Sequence, residues 1–368
     1  MRTTFLATFT AALAAGGSLA HAQPTDSQME KRASINPIMN GQNFPDPAMI
    51  RVADGWHAFA TNAKINDKLV HVQVAYTSDF KAWTYRKGKD ALPTLPSWAD
   101  TKNPRVWAPD VSQLNDGSFV MYYTVAWKAH PALHCVSWAT SKNVEGPYKD
   151  STTTPWICPT AIGGAIDPAG FLDDDGSRWI VYKIDGNAVG HGGVCGNTVK
   201  PIVSTPIMLQ QVRQDGHTKI GNPIQLITNG PNDGPVVEAP SLGKLDGKYV
   251  LFFSSNCFAT TKYDVAYATS KNLKGPYTKY GPLYVTGNLG MVAPGGLNIA
   301  VGGEHAIWHA YVNWTEAPEQ CISVHRHGKG KKHGHHANEC RSNHGTGRAA
   351  YTAILSMKDN RVSASSLS

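Results

Sequence analysis

Four carboxyl side chains in this 368-residue chain share an unusual placement. Asp46 precedes Pro47 and Asp167 precedes Pro168, while Asp110 follows Pro109 and Glu238 lies two residues before Pro240. Carboxyls gathered in a low-dielectric place raise one another's pKa values, because burial and like charge both disfavour ionisation. One member then keeps its proton at neutral pH while a better-paired one stays charged. Hydrolysis of a glycosidic acetal needs that division: an acid for the leaving oxygen, and a second carboxylate to activate water or attack carbon. Taken singly, each acid also suits a plain turn, since Asp-Pro is a frequent turn dipeptide. The set has meaning only if the fold gathers it.

Internal repeats supply the means of gathering. Ala139-Thr140-Ser141-Lys142-Asn143-Val144-Glu145-Gly146-Pro147-Tyr148 recurs 129 residues later as Ala268-Thr269-Ser270-Lys271-Asn272-Leu273-Lys274-Gly275-Pro276-Tyr277, identical at eight of ten positions. A looser unit occurs five times. Pro47, Pro109, Pro168, Pro240 and Pro294 are each followed, seven or eight residues on, by a turn glycine: Gly55, Gly117, Gly176, Gly247 and Gly302. Aromatic and β-branched runs come next, at Trp56 to Ala60, Phe119 to Val125, Trp179 to Ile184, Tyr249 to Ser254 and Ala306 to Val312. Each unit reads as a hairpin. Further strand candidates follow at Val70 to Tyr76, His134 to Ala139, Ile207 to Val212, Val265 to Ala268 and Ala350 to Leu355. Five units of about four strands imply an all-β, five-bladed β-propeller in a single domain from residue 35 to 368. The unit is longer than a WD40 repeat of roughly 40–45 residues. An irregular sandwich with duplicated hairpins is the competing architecture. In a propeller the first strand of each blade lines the axis, so acids at the blade starts converge there.

Asn43-Phe44-Pro45-Asp46-Pro47, Val106-Trp107-Ala108-Pro109-Asp110, Ala165-Ile166-Asp167-Pro168 and Val237-Glu238-Ala239-Pro240-Ser241-Leu242 resemble, in order, the blade-opening motifs of glycoside hydrolase family 43. The resemblance implies a five-bladed propeller that hydrolyses glycosides with inversion, mostly arabinofuranosides, arabinan and β-xylosides. It makes Asp46 the general base, Glu238 the general acid, and Asp167 the residue that orients the acid and holds up its pKa. Inversion calls for base and acid roughly 6.5–9.5 Å apart, with room for water. Asp110 is a candidate partner for substrate hydroxyls or, equally, a buried cap of its own strand. Trp107 is a candidate sugar-stacking ring or channel-wall packing. Family members often carry a histidine near the start of the last blade, serving a metal or water on the axis. Ala293-Pro294-Gly295-Gly296 lacks it here, and His305 does not match that position, so no metal ligand is assigned. No cofactor is required by two-carboxyl inversion, and an axial calcium is left in doubt.

The remainder of the chain narrows the setting. Residues 1–22 read as a signal peptide, with Arg2, an apolar stretch from Phe5 to Ala15, and Ala20-His21-Ala22. Residues 23–34 read as a short propeptide or linker, with Lys31-Arg32 as a dibasic pair. No other segment is long and apolar enough for a membrane helix. Six cysteines beyond the leader favour disulfides in an exported protein; of about 15 connectivities only Cys321–Cys340 suggests itself. Formal charge is +7, concentrated in a His/Lys-rich loop at 322–345 that holds Arg326, Lys329, Lys331 and Lys332. That loop also carries His325, His327, His333, His335, His336 and His344, six of fifteen histidines, and reads as a solvated loop rather than a metal site. Outside it the charge is near balance, which argues against a nucleic-acid partner. No phosphate loop, dinucleotide fingerprint, G-x-S-x-G elbow or H-E-x-x-H is present.

The sequence thus points to a secreted, monomeric, inverting glycosidase acting on arabinose- or xylose-containing plant cell-wall polysaccharide. Arabinofuranosidase or endo-arabinanase action is favoured over β-xylosidase or galactofuranosidase action. A glycan-binding propeller that does not cut is the alternative of another class. Retaining propeller enzymes of the fructan type would instead need carboxyls about 5–5.5 Å apart.

Overall fold

Each repeat folds into its own antiparallel sheet, and five such sheets make the molecule. The computed structural model describes residues 35–311 and 347–366, all within one compact unit. Blade 1 holds β1 (Ala48–Val52) and β2 (Gly55–Ala60), a small inserted hairpin of β3 (Ala63–Ile65) and β4 (Lys68–Val70), then β5 (Gln73–Thr77) and β6 (Thr84–Tyr85). Blade 2 has three strands, β7 (Trp107–Gln113), β8 (Phe119–Trp127) and β9 (His130–Ser141). Blade 3 is β10 (Ala165–Leu172), β11 (Arg178–Ile184), β12 (Ile207–Val212) and β13 (Lys219–Ile227). Blade 4 is β14 (Val237–Leu245), β15 (Lys248–Ser255), β16 (Val265–Ser270) and β17 (Thr278–Tyr284). Blade 5 is β18 (Val292–Ile299), β19 (His305–Tyr311), β20 (Arg348–Lys358) and β21 (Arg361–Ser366). The two copies of the ten-residue repeat close the third strands of blades 2 and 4, so their spacing is two blades.

Blade 2 departs from the expected four strands. Beyond β9 the chain makes only single bridges back to it, Thr140 with Lys149, Val136 with Ile157 and His134 with Gly164. Asp150 explains the detour: its carboxylate accepts from Tyr123, Ser137 and Thr152 side chains, and Cys135–Cys158 fastens the return. A second disulfide joins Cys195 to Cys257. The proposed Cys321–Cys340 pair and the His/Lys-rich loop lie outside the described residues, as do the leader and linker.

Apolar burial lies between blades rather than on the axis. One layer packs Ile50, Phe59 and Val74 of blade 1 on Val111, Met121 and Tyr123 of blade 2. Four further layers repeat this around the ring, ending with Met49 and Trp56 against Ile307 and Ala350. A middle strand is therefore covered on both faces, which is why β11 is buried at all seven positions. Burial on both faces removes the polar alternation of a half-exposed strand. The ring closes without exchanging a strand, through Phe44 N–H to Arg348 O and a bridge from Asn43 to Ala349.

The axis itself is polar and cross-tied. Asn298 of β18 accepts from Met49 N–H of blade 1 and donates to Asp110 Oδ1 of blade 2, with Ser241 of blade 4 at 3.4 Å. Asp110 Oδ2 in turn accepts from Gly170 N–H of blade 3 at 2.8 Å. Gly170 has no room for a side chain, since a Cβ would meet Ser112 Oγ at 2.3 Å. All five innermost strands thus meet in one hydrogen-bonded knot. The axial cavity beside it is about 40 Å³, space for a water or two.

Candidate active site

The residue before the blade-opening proline has left-handed backbone in all five blades: Asp46 (φ 51°), Ala108 (42°), Asp167 (55°), Ala239 (50°) and Ala293 (46°). Four of the five innermost strands also slip register here, as a bulge re-aims the chain. Non-glycine residues adopt this conformation at a cost of roughly 1–2 kcal/mol, least for Asn and Asp. Such strain persists where surrounding bonds over-determine it. Here a side chain caps each N–H: His309 Nδ1 for Asp46, Thr61 for Ala108, Thr124 for Asp167, Asp167 Oδ2 for Ala239 and Thr286 for Ala293.

Asp46 and Asp167 therefore occupy the same position in blades 1 and 3. Glu238 precedes that position by one residue in blade 4, and Asp110 lies two residues beyond it in blade 2. Asp46, Asp110 and Asp167 line one axial cavity, with Glu238 next to Asp167, and Asp110 is also bonded into the axial knot.

Asp46 is a paired carboxylate. Arg348 Nη1 lies 2.8 Å from Oδ1 and Nη2 3.2 Å from Oδ2, and Thr61 donates to Oδ2 at 2.6 Å. Burial alone would raise this carboxyl, but Arg348 and the Thr61 hydroxyl outweigh it and hold Asp46 below its ordinary value. It is a charged acceptor at neutral pH, able to take a proton from water.

Across the well the opposite holds. Burial, and then the neighbouring Glu238 carboxylate, push Asp167 up to about 8, against the pull of Lys183 and the Ala239 N–H. Asp167 therefore keeps its proton at neutral pH. Glu238 is buried, and its Oε2 accepts from Lys183 Nζ at 2.9 Å. The entry to β14 is pinned as well: buried Asn197 donates to Pro235 O at 2.7 Å, and Cys195–Cys257 ties its loop to blade 4.

Asp110 is buried and pushed up to about 7 by that burial, with both oxygens bonded inside the protein. Trp107 is half-buried at the start of β7, its ring stacked on His134 at 3.9 Å. His134 is held well below its ordinary value by burial and by Arg105, so this stack is neutral. His305 lies away from the site, against Trp56 and Phe80.

Sequence reasoning missed Arg348, Lys183, His309 and Thr61. A signal for three of them exists. Thr61, Thr124, Lys183, Ser254 and His309 each follow their blade's pre-proline residue by fifteen or sixteen positions, at the end of the second strand. His309 fills the space left open by Gly296, whose Cβ would meet its ring at 2.8 Å. Its Nδ1 faces the Asp46 N–H, its Nε2 lies 3.3 Å from Arg348 Nη1, and burial with Arg348 nearby lowers its pKa to about 3. Among the described residues no three His, Cys, Asp or Glu side chains group to hold a metal ion.

A propeller carrying paired carboxyls at its axial well defines a glycosidase architecture, and comparison with known proteins gives the family. The model described as Glycosyl hydrolases family 43 matches residues 34–334, and this chain belongs to that family of glycoside hydrolases. The chain is 28% identical over 324 residues to extracellular endo-α-(1→5)-L-arabinanase 1 of Bacillus subtilis, covering 83% of this chain and 90% of that protein. It is 26% identical over 255 residues to xylosidase/arabinosidase 43B of Humicola insolens, covering 68% of this chain and 42% of that one. Two further curated arabinanases are matched over about half their length. Among solved structures, a thermostable family-43 glycoside hydrolase superposes with TM-score 0.66 at 22% identity, over 90% of this chain and 96% of that chain.

Proposed function

We propose that this glycoside hydrolase is a secreted enzyme that cleaves α-L-arabinofuranosyl linkages of arabinan-type plant polysaccharide with inversion. Asp46 activates water, Glu238 protonates the leaving oxygen, and Asp167 orients Glu238 and keeps a proton at that pair. The observation that carries the reading is the asymmetry of the well: one carboxylate clamped by Arg348 and held charged, against Asp167, which burial and the Glu238 carboxylate push up to about 8. Base and acid stand on different blades, and two-carboxyl inversion places them roughly 6.5–9.5 Å apart with a water between. Trp107 offers a ring face at the same rim. Asp110, bonded within the axial knot, braces the floor of the well. Two disulfides among the described residues fit an oxidising compartment. The arabinan preference rests on the relative that matches over most of both chains.

The test is a substrate panel of debranched arabinan and aryl arabinofuranosides, xylosides and galactofuranosides, with NMR of the first-formed anomer. Arabinan cleavage giving the inverted anomer is expected. Retention of configuration would remove the mechanism, and turnover confined to xylosides or galactofuranosides would remove the substrate.

A further inference from the structure

The second-strand positions just described form a ring around the well: Thr61, Thr124, Lys183, Ser254 and His309. Four of them do the same work, passing a neutral bond to the next blade's backbone. Thr61 takes Ala108 N–H, Thr124 takes Asp167 N–H, Ser254 takes Gly296 N–H and His309 takes Asp46 N–H. Blade 3 breaks the pattern. Its side chain is a lysine, and the N–H it would have served, that of Ala239, is taken by Asp167 instead. Lys183 is 0% exposed, and its Nζ lies 2.9 Å from Glu238 Oε2 and 3.1 Å from Asp185 Oδ1. A buried lysine ordinarily sheds its proton. Here burial is outweighed by Glu238 and Asp185, which keep the ammonium charged.

We infer that Lys183 is a positioning residue of the acid half of the site: its buried ammonium fixes one oxygen of Glu238, turns the other toward the leaving group, and limits how tightly that half grips its proton. The inference rests on Glu238 being the acid. Two neighbours of opposite sign then act on one carboxyl. Asp167 sets a like charge beside it, and Lys183 sets an opposite charge against it. An acid that must give its proton away in the transition state needs both, because efficiency is best when acid strength is matched to the working pH. Asp185 shares the ammonium and moderates its effect on Glu238. The other titratable groups facing this cluster are Tyr263 and Asp46 from neighbouring blades and His134 from β9. His134 is held uncharged by burial, and Asp46 is committed to Arg348.

The experiment is the pH profile of kcat/KM for Lys183→Met, Lys183→Arg and Asp185→Asn, on aryl arabinofuranosides with a good and a poor leaving group. An opposite charge within about 4–6 Å lowers a carboxyl by about 1–3 pH units. Lys183→Met should therefore move the alkaline limb up by about one pH unit or more. Turnover of the poor leaving group should fall by about 10-fold to 100-fold, with a smaller loss on the good one. Asp185→Asn should move the same limb the other way, and Lys183→Arg should restore it toward wild type. Should Lys183→Met not fold, Lys183→Gln keeps a polar donor beside Glu238 without the charge and is read in the same way. An alkaline limb unmoved in folded Lys183→Met or Lys183→Gln overturns the inference. Glu238→Gln, run in parallel, separates the two claims: if it keeps wild-type turnover on the poor leaving group, the acid assignment itself fails.

Discussion

The two halves of the well use the same backbone device for opposite ends. Asp46 and Asp167 occupy the same pre-proline, left-handed position in blades 1 and 3. Asp46 meets a guanidinium and a hydroxyl, and is held charged. Asp167 meets a second carboxylate and a backbone N–H, and is pushed up to about 8. Equal geometry with unequal neighbours yields a charged carboxylate on one side and a protonated carboxyl on the other. Position in the repeat decides where a carboxyl points, and the adjoining blade decides which chemistry it performs.

The largest effects should come from removing the reacting groups, and they should differ in kind. Asp46→Ala is expected to lower kcat/KM by about 10⁴-fold whatever the leaving group, because water must be activated in every case. Glu238→Gln should lower it by about 10²–10⁴-fold for poor leaving groups and far less for a dinitrophenyl glycoside. A Glu238→Gln loss that ignores leaving-group pKa would break the division of labour. A third change sharpens the base side. Arg348→Met removes the charge that depresses Asp46, so the acid limb of the kcat/KM profile should rise by about one pH unit or more. The sign follows from Asp46 acting in its charged form: a higher pKa means the base is lost at a higher pH. An acid limb that stays put would detach Asp46 from the base role or Arg348 from Asp46.

The smallest catalytic effect should come from below the well. Asn298→Ala cuts the ties to Met49, Asp110 and Ser241 and strands buried polar groups, at about 1–3 kcal/mol each. A denaturant or thermal midpoint should fall accordingly, while both pH limbs stay where they were. Asp110 adds a pH dependence of its own. Its carboxyl is raised to about 7 in the folded protein, so the native state binds the extra proton between about pH 4 and 7. Its contribution to stability is full below about pH 4 and is lost as pH rises through 7, which urea titrations at pH 4.5 and 7.5 would register.

Much of this was legible in the chain because the repeat is a repeat of turns as well as strands. Proline, then a turn glycine seven or eight residues on, marked all five blades; the second strands fell on the aromatic and β-branched runs, and the third strands of blades 2 to 4 on the further strand candidates. The fourth strand of blade 2 did not form, because Asp150 and Cys158 draw the chain inward, and neither has a local signature. Asp46, Asp167 and Glu238 were visible as acids beside prolines. Their partners were not, for a physical reason: Arg348 reaches Asp46 from 302 residues away, across the closing seam between blades 5 and 1. Lys183 and His309 each interrupt an apolar run and look like ordinary strand residues until the blades are aligned. Asp110 shared the proline neighbourhood of the other acids, yet two residues of offset carry it from the rim to the floor.

The strained pre-proline position holds aspartate in two blades and alanine in the other three. Alanine gains nothing from that backbone, whereas Asn and Asp tolerate it better. Ala108 and Ala239 line the axial cavity and are thus two vacant sockets, whereas Ala293 is fully buried among Tyr263, Val292 and Tyr311. An engineer wishing to graft new polar groups into this scaffold need not reshape its main chain at all. Amides would be the natural first graft, because further carboxylates would crowd the charges already present.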